Sequence, residues 1–242
     1  MDERRSLVKK LTLVSVLAVL LITGIVLATL MIVRKINGNE KSEVTYYDKK
    51  VASFGVQNAN LSQGQIVFIG DSITDLYHLD DYYADLDKAT YNRGIGGDTT
   101  SGVYNRLKVS LYDIAPEKIV LMIGINDING GSGNDEIFAR YKMIVNEIAT
   151  YLPSSKLICV SVLPMNTDVG FSEKDLKKRN DQVDDLNVKI KALCDEKNLT
   201  YVDLYSAVKD DSGSLVREYS VDGIHLSPAG FAVWTQKVKP LL

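Results

Sequence analysis

The sequence predicts an α/β domain, a parallel sheet of buried strands with helices on both faces. Three observations lead there. Short apolar runs alternate with longer segments of helical periodicity from residue 46 onward. Two of the runs, Lys118–Ile123 and Lys156–Leu163, are almost continuously hydrophobic, as strands covered on both sides are. The polar and glycine-rich stretches follow the strand candidates directly, where open α/β sheets bind their ligands. With 242 residues, 45% hydrophobic and 24% charged, the chain can build one domain of about 200 residues with a full core.

The elements follow in order. Residues 1–10 read as a cytoplasmic tail holding Arg4, Arg5, Lys9 and Lys10. Leu11–Val33 carries no charge and is long enough to span a bilayer as one transmembrane helix. It lacks the polar face of a buried helix in a soluble domain. It exceeds the apolar core of a signal peptide and ends in bulky Leu30-Met31-Ile32-Val33, so an uncleaved anchor is expected. Basic residues are denser before the span than after it, where Arg34, Lys35 and Lys41 stand. That asymmetry keeps the N-terminus in the cytoplasm and puts the rest outside the cell, as a single-pass protein of the cell membrane. Residues 34–45 are a polar linker, and 46–242 form the domain.

Tyr46–Phe54 is expected to lead in as a helix. Strands are expected at Gln65–Ile69, Ala89–Asn92, Lys118–Ile123, Lys156–Leu163 and Tyr201–Leu204. Helical patterns lie near Thr99–Tyr112, Asp135–Leu152 and Glu173–Lys197. The last helix opens at Ser227-Pro228, a good N-cap before a residue suited to the first helical position. Phe231, Trp234 and Val238 then share one face, which puts Trp234 in the core. The segments near Asp168–Ser172 and Asp210–Tyr219 are expected to be exposed and mobile.

Composition removes several function classes. A formal net charge of -3 gives no reason to expect a nucleic-acid partner. The two cysteines, Cys159 and Cys194, fall in apolar patterns and read as buried small hydrophobes. With no C-x-x-C pair and only two histidines, no metal site is expected. No cofactor is expected either.

Chemistry begins at Gly70-Asp71-Ser72-Ile73, behind the apolar run Ile66–Ile69. A serine hydroxyl needs a base to become a nucleophile. His78, placed in the helix after the turn, would point away from Ser72 and reads as a surface or packing residue. His225 lies directly before the last helix, with Asp222 three residues earlier and Gly223 between them. A carboxylate on one ring nitrogen fixes the tautomer and leaves the other for the serine. On its own, this segment reads equally well as an Asp-Gly turn with a helix-capping histidine. An oxyanion needs preorganised donors. Asn92–Thr99, rich in glycine, and Gly124-Ile125-Asn126-Asp127 both follow strands and can supply them. The glycine run lacks the lysine of a Walker loop. Thr74 stands where the α/β-hydrolase elbow G-x-S-x-G needs glycine, so another serine-hydrolase scaffold is required.

Taken together, these segments resemble the SGNH (GDSL) hydrolase superfamily. Gly70-Asp71-Ser72-Ile73 is similar to its first motif block, with isoleucine in place of leucine. Gly97 is similar to the glycine of the second block, Asn126 to the asparagine of the third, and Asp222-Gly223-Ile224-His225 to the final D-x-x-H pair. The resemblance covers roughly Tyr46–Leu242. It implies a flavodoxin-like three-layer α/β/α sandwich on a five-stranded parallel sheet, and metal-free hydrolysis of an acyl ester. By it, Ser72 is the nucleophile, His225 the base and Asp222 its orienting partner. The N–H groups of Ser72 and Gly97 and the Asn126 amide hold the oxyanion, while Asp71 and Asp127 shape the loops. Asn92–Thr99 most resembles the branch of platelet-activating-factor acetylhydrolase-like and sugar O-acetylesterase proteins. The expected function is a membrane-anchored esterase acting on acetyl or short acyl esters of cell-surface glycans. The alternatives are a lipid esterase, lysophospholipase or thioesterase, an acyltransferase, or a non-catalytic glycan-binding module.

Overall fold

The computed structural model describes residues 21–29 and 44–242. The chain divides into two compact units between Val44 and Thr45. In the first, residues 21–29 are helical and their side chains exposed. The remainder of the expected anchor, the expected cytoplasmic tail and nearly all of the expected linker lie outside the described residues. Among the described residues no helix is long and apolar enough to cross a membrane.

The second unit is an α/β sandwich on five parallel strands. They are β1 (Ile66–Gly70), β2 (Thr90–Gly94), β3 (Lys118–Met122), β4 (Lys156–Val160) and β5 (Thr200–Val202). Their order is β2-β1-β3-β4-β5. β1 pairs on both sides, with Phe68 opposite Asn92 and Val120. This is the flavodoxin-like order, in which the chain reverses direction between β1 and β3 and opens a crevice at their carboxyl ends.

The helices used below are α1 (Tyr46–Asn58), α2 (Ser72–Asp75), α3 (Thr100–Asn105), α4 (Ile125–Asn129), α5 (Asn134–Tyr151), α6 (Glu173–Lys197) and α7 (Pro228–Val238). Local chemistry sets their ends. Thr45 and Asp48 form a reciprocal capping box at α1. Ser172 caps α6 through the Asp175 amide, and Asn198 ends it in the left-handed region at φ 54. Ser227 caps α7 with Pro228 in its first turn, as the sequence predicts.

Two expectations need correction. The single helix expected over Thr99–Tyr112 is broken at Arg106, leaving α3 and a π-helical turn at Lys108–Tyr112. The fourth strand stops at Val160, three residues short of Leu163. Beyond it the Ser161 amide still donates to the Val202 carbonyl at 3.0 Å, and then side chains replace the ladder. Ser161 Oγ accepts the Leu204 and Tyr205 amides. The Asn187 side chain bonds both the N–H and the C=O of Val162, and Asn180 does the same for Met165. Each carboxamide on α6 thus imitates a neighbouring strand, and the backbone stays satisfied without one.

Both sheet faces are buried. Phe68 meets the rings of Tyr77, Tyr83 and Trp234, with Trp234 fully enclosed. Cys159 on β4 meets Tyr141 of α5 and Cys194 of α6, and both thiols are free and buried. Phe68→Ala should therefore cost about 3–5 kcal/mol, read from urea unfolding. Val56→Ala, at a site 75% exposed, should change stability by less than about 0.5 kcal/mol.

Candidate active site

Every group at this site hangs from the carboxyl end of a strand or from the loop before α7. β1 ends at Gly70, and Asp71 caps α2 by accepting the Ile73 amide at 3.0 Å. Ser72 is then the first residue of α2, where an N–H has no acceptor within the helix. The helix is a single turn that ends at Asp75. His78 therefore lies beyond it rather than within it, and is exposed, as a surface residue should be.

The loop before α7 is bonded to itself. A bridge joins Ser220 to Leu226, and the Val221 amide donates to the His225 carbonyl at 3.0 Å. Ser220 Oγ accepts the Gly223 amide at 2.7 Å. Asp222 Oδ1 accepts the Ile224 and His225 amides at 3.1 and 2.8 Å. Its other oxygen lies 2.6 Å from His225 Nδ1, and His225 Nε2 lies 2.9 Å from Ser72 Oγ. The carboxylate, imidazole and hydroxyl stand in one hydrogen-bonded line. Partial burial pushes the Asp222 carboxyl up, but the bonds from the His225 ring and the two amides outweigh it and hold the group below its ordinary range.

Gly223 is required twice over. Its φ is 93°, and a Cβ there would lie 2.3 Å from Val169 N and 2.8 Å from Asn166 Oδ1. The turn at residues 166–169 closes against it, with the Asn166 amide donating to the Gly223 carbonyl at 2.9 Å. Arg217 also reaches this turn, through Asp168 and Thr167. The segments expected to be loose around 168–172 and 210–219 are thus bonded to one another beside the Asp222–His225 loop.

Gly97 occupies a turn closed by the Asp98 amide and the Ile95 carbonyl at 3.1 Å, and its φ of 78° is what such a turn demands. It is exposed and borders an open cleft of about 610 Å³ that Tyr47, Val51, Asn105 and Lys108 also line. Asn126 follows β3 and donates one Nδ2 hydrogen to the Asp98 carbonyl at 2.9 Å, which leaves its second N–H for another acceptor. The structure thus joins Ser72, His225 and Asp222 directly, and links Asn126 to the loop that carries Gly97.

Buried ionic contacts hold these loops. Arg106 bonds the Asp98 carboxylate at 2.8 Å, the Arg93 carbonyl at 2.7 Å, Ser110 Oγ at 3.0 Å and the Gly70 carbonyl at 2.9 Å. Asp127 accepts the Thr100 amide at 2.9 Å, the Thr100 hydroxyl at 2.6 Å and Arg140 Nη2 at 3.0 Å. Asp71 and Asp127 shape loops, as expected. The partners Arg106, Thr100 and Arg140 carry no distinguishing sequence signal, because each sits in a helical pattern where polar residues normally face solvent. Among the described residues, no cluster of His, Cys, Asp or Glu is placed to hold a metal ion.

Burial pushes the Asp71 carboxyl up to about 7; the Ile73 amide opposes that shift, and the nearby Asp98 and Asp127 add to it. Folding therefore takes up a proton at Asp71 between the ordinary value of 3.8 and about 7. Its contribution is most favourable below the lower value and falls as pH rises through the window. Asp71→Asn should flatten that part of the stability profile, measured by urea unfolding between about pH 4 and about pH 8.

Comparison with known proteins agrees with the motifs. Residues 68–233 match the GDSL-like Lipase/Acylhydrolase family. Platelet-activating factor acetylhydrolase IB subunit alpha2 of Rattus norvegicus is 30% identical over 171 residues, 69% of this chain and 71% of that protein. A Streptococcus pneumonia structure, provisionally described as a platelet activating factor, is 27% identical with a TM-score of 0.75, over 87% of this chain and 98% of its own. The fold is also that of Axe2, an acetylxylan esterase from Geobacillus stearothermophilus, with a TM-score of 0.58 and 21% identity over 74% of this chain and 94% of Axe2. The chain therefore belongs to the GDSL-like lipase/acylhydrolase family, within the SGNH hydrolases, and is a carboxylic ester hydrolase.

Proposed function

We propose that this protein is a membrane-anchored serine esterase that removes acetyl or other short acyl groups from cell-surface glycans through an acyl-enzyme. The observation that carries the reading is the line from Asp222 through His225 to Ser72, at 2.6 and 2.9 Å. His225 Nε2 takes the Ser72 proton as Oγ attacks the acyl carbonyl. Asp222, kept ionised by its hydrogen bonds, holds the imidazole tautomer and stabilises the imidazolium. The developing oxyanion accepts from the Ser72 and Gly97 N–H groups and the unpaired hydrogen of the Asn126 amide. His225 then returns the proton to the leaving alcohol. Water activated by the same ring releases the acid and restores Ser72.

Support for acetyl esters comes from the names of the similar proteins, an acetylhydrolase and an acetylxylan esterase. Support for anchoring comes from the uncharged Leu11–Val33 and the basic residues before it. An outward-facing domain on such a tether reaches surface polysaccharide. A lipid ester is the second reading. Leu76, next after α2, and Val221, next before Asp222, are 48% and 66% exposed and offer apolar surface beside the site.

Ser72→Ala should abolish hydrolysis of p-nitrophenyl acetate and labelling by a fluorophosphonate. Full activity in that variant would falsify the mechanism. Asn126→Ala should lower kcat by about 10²–10³-fold in the same assay. A series of acyl chain lengths, run beside acetylated polysaccharide, separates the two substrate readings; preference for long chains would favour the lipid. For the topology, protease added to intact cells should digest residues 46–242, and protection would place the domain inside.

A further inference from the structure

Asp75 ends the one-turn helix that Ser72 begins. Its carboxylate meets three groups from other parts of the chain. Oδ2 accepts the Gly96 amide at 3.0 Å and the Tyr46 hydroxyl at 2.6 Å. Oδ1 accepts Lys50 Nζ at 2.7 Å. Gly96 directly precedes Gly97. Tyr46 and Lys50 are one turn apart on α1, the helix that follows the linker. A Cβ on Gly96 would lie 3.4 Å from Tyr46 Cε1, so the phenol ring rests against the loop. A second tie runs from α1 to the helix that follows the Gly96 loop, as the Tyr47 hydroxyl donates to the Gly102 carbonyl of α3 at 2.9 Å. The bond to Asp75 pushes the Tyr46 hydroxyl up to about 12, so it remains a donor across the working range.

We propose that Asp75 is a positioning residue for ester hydrolysis: it holds the Gly96 amide and so sets the direction of the Gly97 N–H, and Tyr46 and Lys50 of the entry helix hold Asp75 in turn. The inference rests on the reading of Gly97 as an oxyanion donor. Asp75 is on the nucleophile's own helix, so one carboxylate sets the spacing between serine and oxyanion loop. A donor displaced by a fraction of an ångström binds the ground-state carbonyl almost as before but loses the tetrahedral oxyanion. The loss should therefore fall on kcat rather than KM. The same contacts make α1, the first element beyond the tether, part of the hydrolytic apparatus rather than a lead-in.

The test uses the full chain in detergent with p-nitrophenyl acetate as the probe, and counts active serines by end-point fluorophosphonate titration. Asp75→Ala should lower kcat per titrated serine by about 30-fold with KM within about twofold. The Tyr46→Phe/Lys50→Met double variant should lower it by about 5–10-fold, and Lys50→Arg should retain most of the rate. Amide hydrogen exchange of the peptide holding Gly96 and Gly97 should quicken in the first two. Unchanged kcat per titrated serine in the double variant would overturn the proposal, even if Asp75→Ala does not fold. So would a loss seen only in KM. Wild-type protein that neither hydrolyses the ester nor takes up the fluorophosphonate would instead defeat the esterase reading itself.

Discussion

The buried guanidinium of Arg106 is the contact on which the site's geometry depends. At the carboxyl ends of β1 and β2, Arg106 adds a side-chain donor to the carbonyls of Gly70 and Arg93, the first of which also accepts the Ile95 amide. The same group neutralises Asp98, which lies next to Gly97. Arg106 and Asp98 are both almost fully enclosed, their side chains 0% and 2% exposed. Such a pair adds little net stability over apolar packing, but removing one partner typically costs about 3–5 kcal/mol. Its product is placement: the ends of β1 and β2 and the loop that carries Gly97 share one rigid fork of donors. The helix breaks at the very residue that carries this guanidinium.

Two kinds of support meet at Ser72. On the β1–β3 side the groups are fixed by buried charge, through Arg106 on Asp98 and through Arg140 and Thr100 on Asp127. On the His225 side the loop is fixed by backbone chemistry, with Ser220 and Asp222 each gathering two amides and Asn166 reaching across to the Gly223 carbonyl. The first arrangement is largely closed to water, with Asp98, Arg106 and Asp127 buried and Arg140 half-buried. The second stays partly open, which suits the proton-transfer role proposed for His225.

Much of this was legible in the sequence. Alternating runs placed the five strands to within a few residues, and the motifs singled out Ser72, Asp222 and His225, which the structure brings into one hydrogen-bonded line, and Asn126, which it ties to the loop of Gly97. These are residues whose chemistry is local to a turn, so short spacing exposes them. What could not be read depends on partners far apart in the chain. Asp75 and Tyr46 are twenty-nine residues apart and Asp127 and Thr100 twenty-seven, and nothing in either segment announces the other. Nor could the early end of β4 be seen. Its apolar run continues through Leu163, and only the Asn187 and Asn180 carboxamides on a distant helix make a ladder unnecessary.

The bond between His225 and Ser72 joins positions 153 residues apart. That separation has a bearing on biosynthesis. Ser72 emerges early in synthesis and His225 almost last, so the hydroxyl and the imidazole meet only once nearly the whole chain is made. Throughout elongation Ser72 is an ordinary alcohol without a proton acceptor. A chain still being made therefore lacks the Ser72–His225 bond, which joins the end of β1 to the segment just before the helix whose Trp234 packs on Phe68 and Tyr77.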